Sequence, residues 1–167
     1  MKAVISLKNF YADAYFENIT KISTAFLKEH GIEGVILDVD NTLVGHNVAI
    51  PEDKILSHIR GWEKEGIKLC VVSNNTEKRV KSFCEKINIK YYVSDALKPR
   101  KKGYINASCE MKLEMGKIAA IGDQVFTDVW GAKRAGCMAI LTNPLYKGGE
   151  GFLIAIKRLL EKPFIKN

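Results

Sequence analysis

No run of apolar residues in this sequence approaches the roughly 18 needed to cross a bilayer as a helix. The short apolar patch from Met1 to Leu7 lacks the length and cleavage pattern of a signal peptide. The chain is therefore expected in the cytoplasm, touching at most a membrane surface. Cys70, Cys84, Cys109 and Cys137 form no C-x-x-C pair and read as small buried thiols of a reduced compartment. His30, His46 and His58 form neither H-E-x-x-H nor a Cys/His metal spacing, which leaves no pattern for structural zinc. Gly148-Gly149 has no G-x-x-x-x-G-K-[ST] context and reads as a flexible turn. No repeat, low-complexity stretch or linker interrupts the 167 residues, so one domain over 1–167 with a real core is expected.

What the chain does have is positive charge. Lys plus Arg number 26 against 19 acidic residues, a net +7. That balance suits an anionic partner such as a phosphate ester, nucleic acid or acidic lipid, and equally a solvated surface with surplus lysine. No dedicated nucleic-acid motif accompanies it.

The organising stretch is Val35-Ile36-Leu37-Asp38-Val39-Asp40-Asn41-Thr42-Leu43. Its apolar run suits a buried strand and is too short for a typical helix. Two unpaired carboxylates do not belong inside a strand buried on both faces. They belong at its end, which in an open α/β sheet is the ligand-binding carboxyl edge.

The rest of the chain supplies the other layers. Residues 1–19 carry Phe10, Tyr11, Tyr15 and Phe16, either a lid of aromatics on the core edge or a patch for a headgroup boundary. Thr20 is placed to cap a helix running to His30, with Gly31 as its stop. Pro51 precedes a helix with Ile55, Ile59 and Trp62 at helical spacing, closed by Gly66. Ile67 to Val72 reads as a second strand, followed by a helix capped by Thr76 with Val80, Phe83, Cys84 and Ile87 inward. Tyr91 to Val93 is a third strand and Gly103 to Leu113 a helix. Ile118 to Ile121 is a fourth strand. Thr127 or Asp128 caps a helix that stops at Gly136, and Met138 to Leu141 is a fifth strand. A glycine-rich turn over 148–151 leads to a last helix with Phe152, Ile156, Leu159 and Leu160, ended by Pro163. Strands alternating with helices of these lengths predict a doubly wound, mainly parallel five-stranded sheet, α/β and Rossmann-like, with helices on both faces.

In such a sheet the strand ends converge. Asp38 and Asp40, Ser73 and Asn74, and Gly122 and Asp123 meet on one edge, with Lys98 after the third strand. Carboxylates that close raise one another's pKa unless a cation neutralises them. Mg²⁺ fits, because it takes oxygen ligands and pairs with phosphate.

These residues resemble the four motifs of the haloacid dehalogenase superfamily of phosphatases: Asp38-Val39-Asp40-Asn41-Thr42, then Ser73, then Lys98, then Gly122-Asp123 with Asp128. They stand in the family's order over about 90 residues, each at or just after an expected strand. The resemblance implies Asp38 as a nucleophile that forms an aspartyl-phosphate. It implies Asp40 as the acid and base for leaving group and water. Mg²⁺ would be held by the Asp38 side chain, the Asp40 main-chain carbonyl and Asp123, with Asp128 a further ligand, a support behind them or a plain helix cap. Ser73 and the Asn74 backbone would bind phosphoryl oxygens, and Lys98 would neutralise Asp38 and phosphate.

The intervals from Asp40 to Ser73 and from Ser73 to Lys98 are too short for the cap domain that encloses metabolites in many members of that superfamily. The Ser73-Asn74-Asn75, Ala96-Leu97-Lys98-Pro99 and Gly122-Asp123-Gln124 segments look like its subfamily IIIA, YqeG-like group, from about Tyr15 to Lys147. That group is similar to the phosphatidylglycerophosphatase that makes phosphatidylglycerol, which implies an anionic lipid headgroup as partner and peripheral membrane contact. Arg100, Lys101 and Lys102 beside Lys98 agree with an anionic bilayer or with an ordinary solvated loop. A nucleic-acid end, a sugar phosphate or a phosphoprotein would suit the same open site. A catalytically silent binding protein is the reading from another class.

Overall fold

A computed structural model describes residues 7–45, 48–146 and 152–165, with the backbone alone at 152–154. In chain order the strands are β1 (Ala14–Phe16), β2 (Gly34–Leu37), β3 (Lys68–Val72), β4 (Tyr91–Val93), β5 (Ile118–Gly122) and β6 (Met138–Thr142). The helices are α1 (Thr24–Glu29), α2 (Asp53–Lys64), α3 (Glu77–Lys86), α4 (Lys101–Met111), α5 (Trp130–Ala135) and α6 (Phe152–Glu161). The six strands form one sheet in the order β1-β6-β5-β2-β3-β4, every pair parallel.

The continuous apolar runs follow from burial on both faces. Side chains alternate between faces along each strand. Val35, Leu37, Leu69, Val71, Ala119 and Ile121 pack with Leu27 of α1, Ile55, Ile59 and Trp62 of α2, and Val80, Phe83 and Cys84 of α3. Ile36, Cys70, Val72, Ile118 and Ala120 pack on the other face with Tyr104, Ala107 and Met111 of α4 and Ala132 of α5. Gly31, Gly66 and Gly136, at φ +67°, +90° and +92°, stand where α1, α2 and α5 stop, in the left-handed conformation that glycine enters without penalty.

The sheet has six strands where five are expected. The extra one, β1, lies in the aromatic N-terminal segment and aligns Ala14 with Ile140 and Phe16 with Thr142 on β6. Three residues are too few to show a period of two. Asp13 docks the strand instead: its N–H donates to the Ala139 carbonyl at 2.8 Å, its carboxylate accepts from the Ala139 N–H at 2.8 Å, and Lys133 pairs with it at 2.5 Å. Of the neighbouring aromatics, Phe10 packs against the rings of Phe126, Trp130 and Phe164, with centroids 5.2–5.4 Å apart. Phe16 packs on Phe26 at 5.0 Å.

Local capping also departs from expectation. Ser23, not Thr20, caps α1, its Oγ accepting from the Phe26 N–H at 3.0 Å. Thr20 sits in a preceding 3₁₀ turn (Ile19–Lys21) capped by Asn18, because fully buried Ile22 pulls the chain extended between the two. Thr76 precedes α3 at its cap position without a side-chain cap bond. Helix α4 begins at Lys101, ahead of Gly103. Pro163 falls inside a closing 3₁₀ turn (Lys162–Phe164) that follows α6. Cys109 is exposed on α4, whereas the other three cysteines are buried. The turn at 148–151 and His46 lie outside the described residues.

Candidate active site

From β2 the chain winds through α2 to β3 and β4 on one side, then returns through α4 to β5 on the other. The order therefore reverses at β2, and the crevice at its carboxyl end is where ligands of open α/β sheets bind. Asp38 is the first residue past β2, and its N–H still pairs with the Ile121 carbonyl at 3.0 Å. Asp123 directly follows β5, Ser73 follows β3, and Lys98 lies in the loop after β4. All seven residues expected in the site are gathered there. Asp38, Asp40, Ser73, Asn74, Lys98 and Asp128 line an open cavity of about 160 Å³, and buried Asp123 is linked through Thr42 to Asp38.

Lys98 is the pivot. Its ammonium donates to Asp38 Oδ1 at 2.5 Å and to Asp128 Oδ1 at 2.7 Å, with only 5% of its side chain exposed. Asn74 fixes the loop that presents it: its Oδ1 accepts from the Lys98 N–H at 2.6 Å and its Nδ2 donates to the Lys98 carbonyl at 3.4 Å. Ser73 Oγ accepts from the Asn75 N–H at 3.2 Å. Thr42 Oγ1 stands 3.3 Å from Asp38 Oδ2 and 3.4 Å from Asp123 Oδ1.

Asp128 is not a helix cap. Residues Val125–Val129 form a π-helical turn that runs into α5, and Gln124 takes the cap position. The wide turn carries the Asp128 carboxylate back to the strand end, where Oδ2 accepts from the Gln124 N–H at 3.1 Å. Buried Tyr104 braces this turn by donating to the Asp128 and Thr127 carbonyls at 3.2 and 3.3 Å. Single π turns of this kind are frequent at functional sites.

Carboxylate oxygens of Asp38, Asp123 and Asp128 lie within 4.8 Å of one another. Burial, opposed by Lys98 and reinforced by Asp128, pushes the Asp38 carboxyl up to about 6. Burial, with Asp38 and Asp128 adding repulsion, pushes Asp123 up to about 8 against the pull of Arg158. Burial works against the Lys98 ammonium, but Asp128 and Asp38 override it and hold Lys98 well above the usual lysine range. Three carboxyl groups thus share two cations, Lys98 and Arg158. Three carboxylates and a hydroxyl, with no sulfur or imidazole, form a hard oxygen donor set suited to a small divalent cation.

Several site residues were not legible in the sequence. Asn75 Nδ2 donates to Asp40 Oδ2, and Arg79 Nη2 pairs with Asp40 Oδ1 at 2.5 Å. A signal existed for Arg79: it lies in the first turn of α3, where side chains lean toward the helix N-terminus and so toward the sheet edge. Arg158 Nη2 donates to Asp123 Oδ2 at 2.5 Å, and Lys157 Nζ donates to Gln124 Oε1 at 2.6 Å. Nothing local in the sequence ties α6 to this edge.

The chain is similar throughout to proteins of known family. The model of the family described as mitochondrial PGP phosphatase matches residues 2–146. A probable phosphatase, YqeG, of Bacillus subtilis is 36% identical over 155 residues, covering 93% of this chain and 89% of that protein. The chloroplastic/mitochondrial phosphatidylglycerophosphate phosphatase 1 of Arabidopsis thaliana is 27% identical over 163 residues, covering 90% of this chain but only 45% of the plant protein. A haloacid dehalogenase-like hydrolase from Brucella suis shares the fold with a TM-score of 0.59 at 11% identity, over 75% of this chain and 88% of that one. The strand-end carboxylates, the lysine between them and these likenesses agree: this chain is a phosphatase of the haloacid dehalogenase, YqeG-like type and belongs to the mitochondrial PGP phosphatase family.

Proposed function

We propose that the protein is a Mg²⁺-dependent phosphomonoesterase that works through an aspartyl-phosphate on Asp38 and releases phosphate from phosphatidylglycerophosphate. The observation that carries the substrate reading is the open site. Between Asp40 and Ser73 the fold adds α2, and between Ser73 and Lys98 it adds α3 and β4, so among the described residues no cap domain covers the crevice. A site without a lid suits an ester borne on a large body or a surface. The family description and the name of the plant relative supply the particular headgroup.

In this reading Asp38 attacks phosphorus, its oxygen–phosphorus bond forming as the ester oxygen–phosphorus bond breaks. Asp40 gives its proton to the departing alcohol, then takes one from the water that attacks the aspartyl-phosphate. Asp38 and phosphate are then regenerated. Arg79 and Asn75 hold the Asp40 side chain at the cavity wall. Ser73 Oγ and the Asn74 N–H hold phosphoryl oxygens, and Lys98 balances charge on Asp38 and the incoming phosphate. The Asp38, Asp123 and Asp128 carboxylates, with the Asp40 carbonyl, hold Mg²⁺, which when bound supplies positive charge to the phosphoryl oxygens.

The test is phosphate release from phosphatidylglycerophosphate in mixed micelles, with and without Mg²⁺, for the native chain and Asp38→Asn. Metal-dependent release that the substitution removes supports the proposal. Turnover of an aryl phosphate with none of the lipid keeps the mechanism and discards the substrate.

A further inference from the structure

Helix α6 is turned inside out relative to an ordinary surface helix. Its cations face the protein: Lys157 reaches Gln124 and Thr127 at the cavity wall, and Arg158 reaches Asp123. Glu161 is 1% exposed and accepts from the Phe126 N–H at 2.8 Å. Ile156, Leu159 and Leu160, spaced along one stripe, are 41%, 61% and 59% exposed. A helix whose free face meets only water presents charge outward and buries such a stripe.

The stripe does not stand alone on this edge. Val48 and Ile50 in the loop after β2, Leu97 after β4 and Tyr146 after β6 are also exposed. Each follows the carboxyl end of a strand, the edge that holds the site. Leu97 adjoins Lys98 and is held at φ +52°, a conformation unfavourable for leucine. Close to these apolar groups in the chain are the exposed cations Arg100, Lys101 and Lys102 at the start of α4, Lys54 in α2 and Lys162 after α6, against the exposed acids Glu52, Asp53 and Asp95. Exposed apolar side chains with a surplus of cations on a chain of net charge +7 match an anionic lipid interface, where the first enter the acyl boundary and the second meet headgroup phosphates. A second copy of a chain with net charge +7 offers no such complement.

We propose that the carboxyl edge, with the Ile156-Leu159-Leu160 face of α6 as its main anchor, docks on the surface of an anionic bilayer and sets the catalytic crevice against the headgroups. This rests on the lipid-substrate reading above and adds to it the surface by which the protein meets its substrate. Binding energy is then gathered by α6 and the rim, away from the reacting atoms. Lys157 and Arg158 couple the docked helix directly to Gln124 and Asp123.

The experiment is vesicle flotation of the full chain, with phosphatidylcholine alone or mixed with phosphatidylglycerol, for the native sequence, the double variant Leu159→Glu/Leu160→Glu and the milder Leu159→Ser/Leu160→Ser. Aryl phosphate hydrolysis in solution checks that each variant folds with a working site. The native chain should float with anionic vesicles, and each double variant should bind them at least about tenfold more weakly, since each leucine forfeits its apolar burial. Aryl phosphate turnover should stay unchanged. Failure of the native chain to float, or equal flotation of both variants, overturns the proposal. So does a native dimer that the glutamates dissociate without any vesicle binding. Lipid turnover in detergent micelles separates the two readings: turnover without flotation removes the docking surface and keeps the substrate, while flotation without turnover keeps the surface and removes the substrate.

Discussion

Gly122 and Asp128 occupy one corner of the site. A Cβ placed on Gly122 would stand 2.4 Å from both Cβ and Cγ of Asp128, closer than two carbons approach. Strand β5 ends in glycine because the π turn folds Asp128 back across that spot, where it accepts from Lys98 and from the Gln124 N–H. The Gly122-Asp123 pair is thus two devices. The aspartate joins the carboxylate cluster, and the glycine makes room for its third member.

Gly122→Ala should therefore damage function more than its one added methyl suggests. Asp128 must move off Lys98, or β5 must shift at Asp123. Turnover should fall at least tenfold and stability by about 1–3 kcal/mol, as for overpacking elsewhere. Thermal unfolding beside steady-state phosphate release checks this, and full activity in a folded variant would remove Asp128 from the working site.

Asp38→Asn should abolish turnover while the fold persists. The residue lies past the end of β2, and the amide keeps its size. Loss of a nucleophile leaves only the residual rate of binding and charge stabilisation, a fall of at least ~10³-fold. Rapid-quench labelling gives the sharper readout: the native protein should hold acid-stable phosphate during turnover and the variant none.

The raised carboxyls give the metal-free site its own pH dependence. Folded Asp38 at about 6 and Asp123 at about 8 both lie above the ordinary value of 3.8. Between those limits the folded state binds more protons than the unfolded, so the stability these two groups contribute is fully present below about pH 4 and is lost as pH rises, through pH 6 for Asp38 and pH 8 for Asp123. Mg²⁺ competes with those protons. Its stabilising effect on Tm should be small at pH 5 and large at pH 8, and melting curves with chelator or Mg²⁺ at the two values decide the matter. Equal shifts at both would place the metal elsewhere.

The parts of this fold that read directly from sequence are those whose signal is local. The runs around Ile36, Cys70 and Ala120 announce buried strands because both faces of the sheet are covered. Ile55, Ile59 and Trp62 announce a helix because one face is. The polar residues at strand ends converge because parallel strands must, which is why Asp38, Ser73, Lys98 and Asp123 could be placed together in advance. What escaped depends on contacts between distant segments. Strand β1 exists because Asp13 grips Ala139, 126 residues away. Arg158 reaches Asp123 from a helix whose position follows from packing alone. Asp128 carried a capping signal, and the π turn, a backbone choice with no sequence period, overrode it.

Arg79 gives the most discriminating substitution. It pairs with Asp40 Oδ1 at 2.5 Å, and Asp40 stands outside the cluster of Asp38, Asp123 and Asp128. If Asp40 is the proton donor, Arg79→Met frees that carboxylate to wander, and a displacement of about 1 Å can cost ~10²-fold in a positioned step. The loss should depend on the leaving group. An alkyl phosphate, whose alkoxide must be protonated as it departs, should lose at least tenfold more turnover than a nitrophenyl phosphate, whose phenolate leaves unaided. Mg²⁺ affinity should hold, because the metal-binding carboxylates keep their partners. Turnover of both esters with a Mg²⁺ titration reads all three quantities. An equal loss on both esters would mean that Arg79 binds phosphate or supports the fold, and that Asp40 does not owe its position to it.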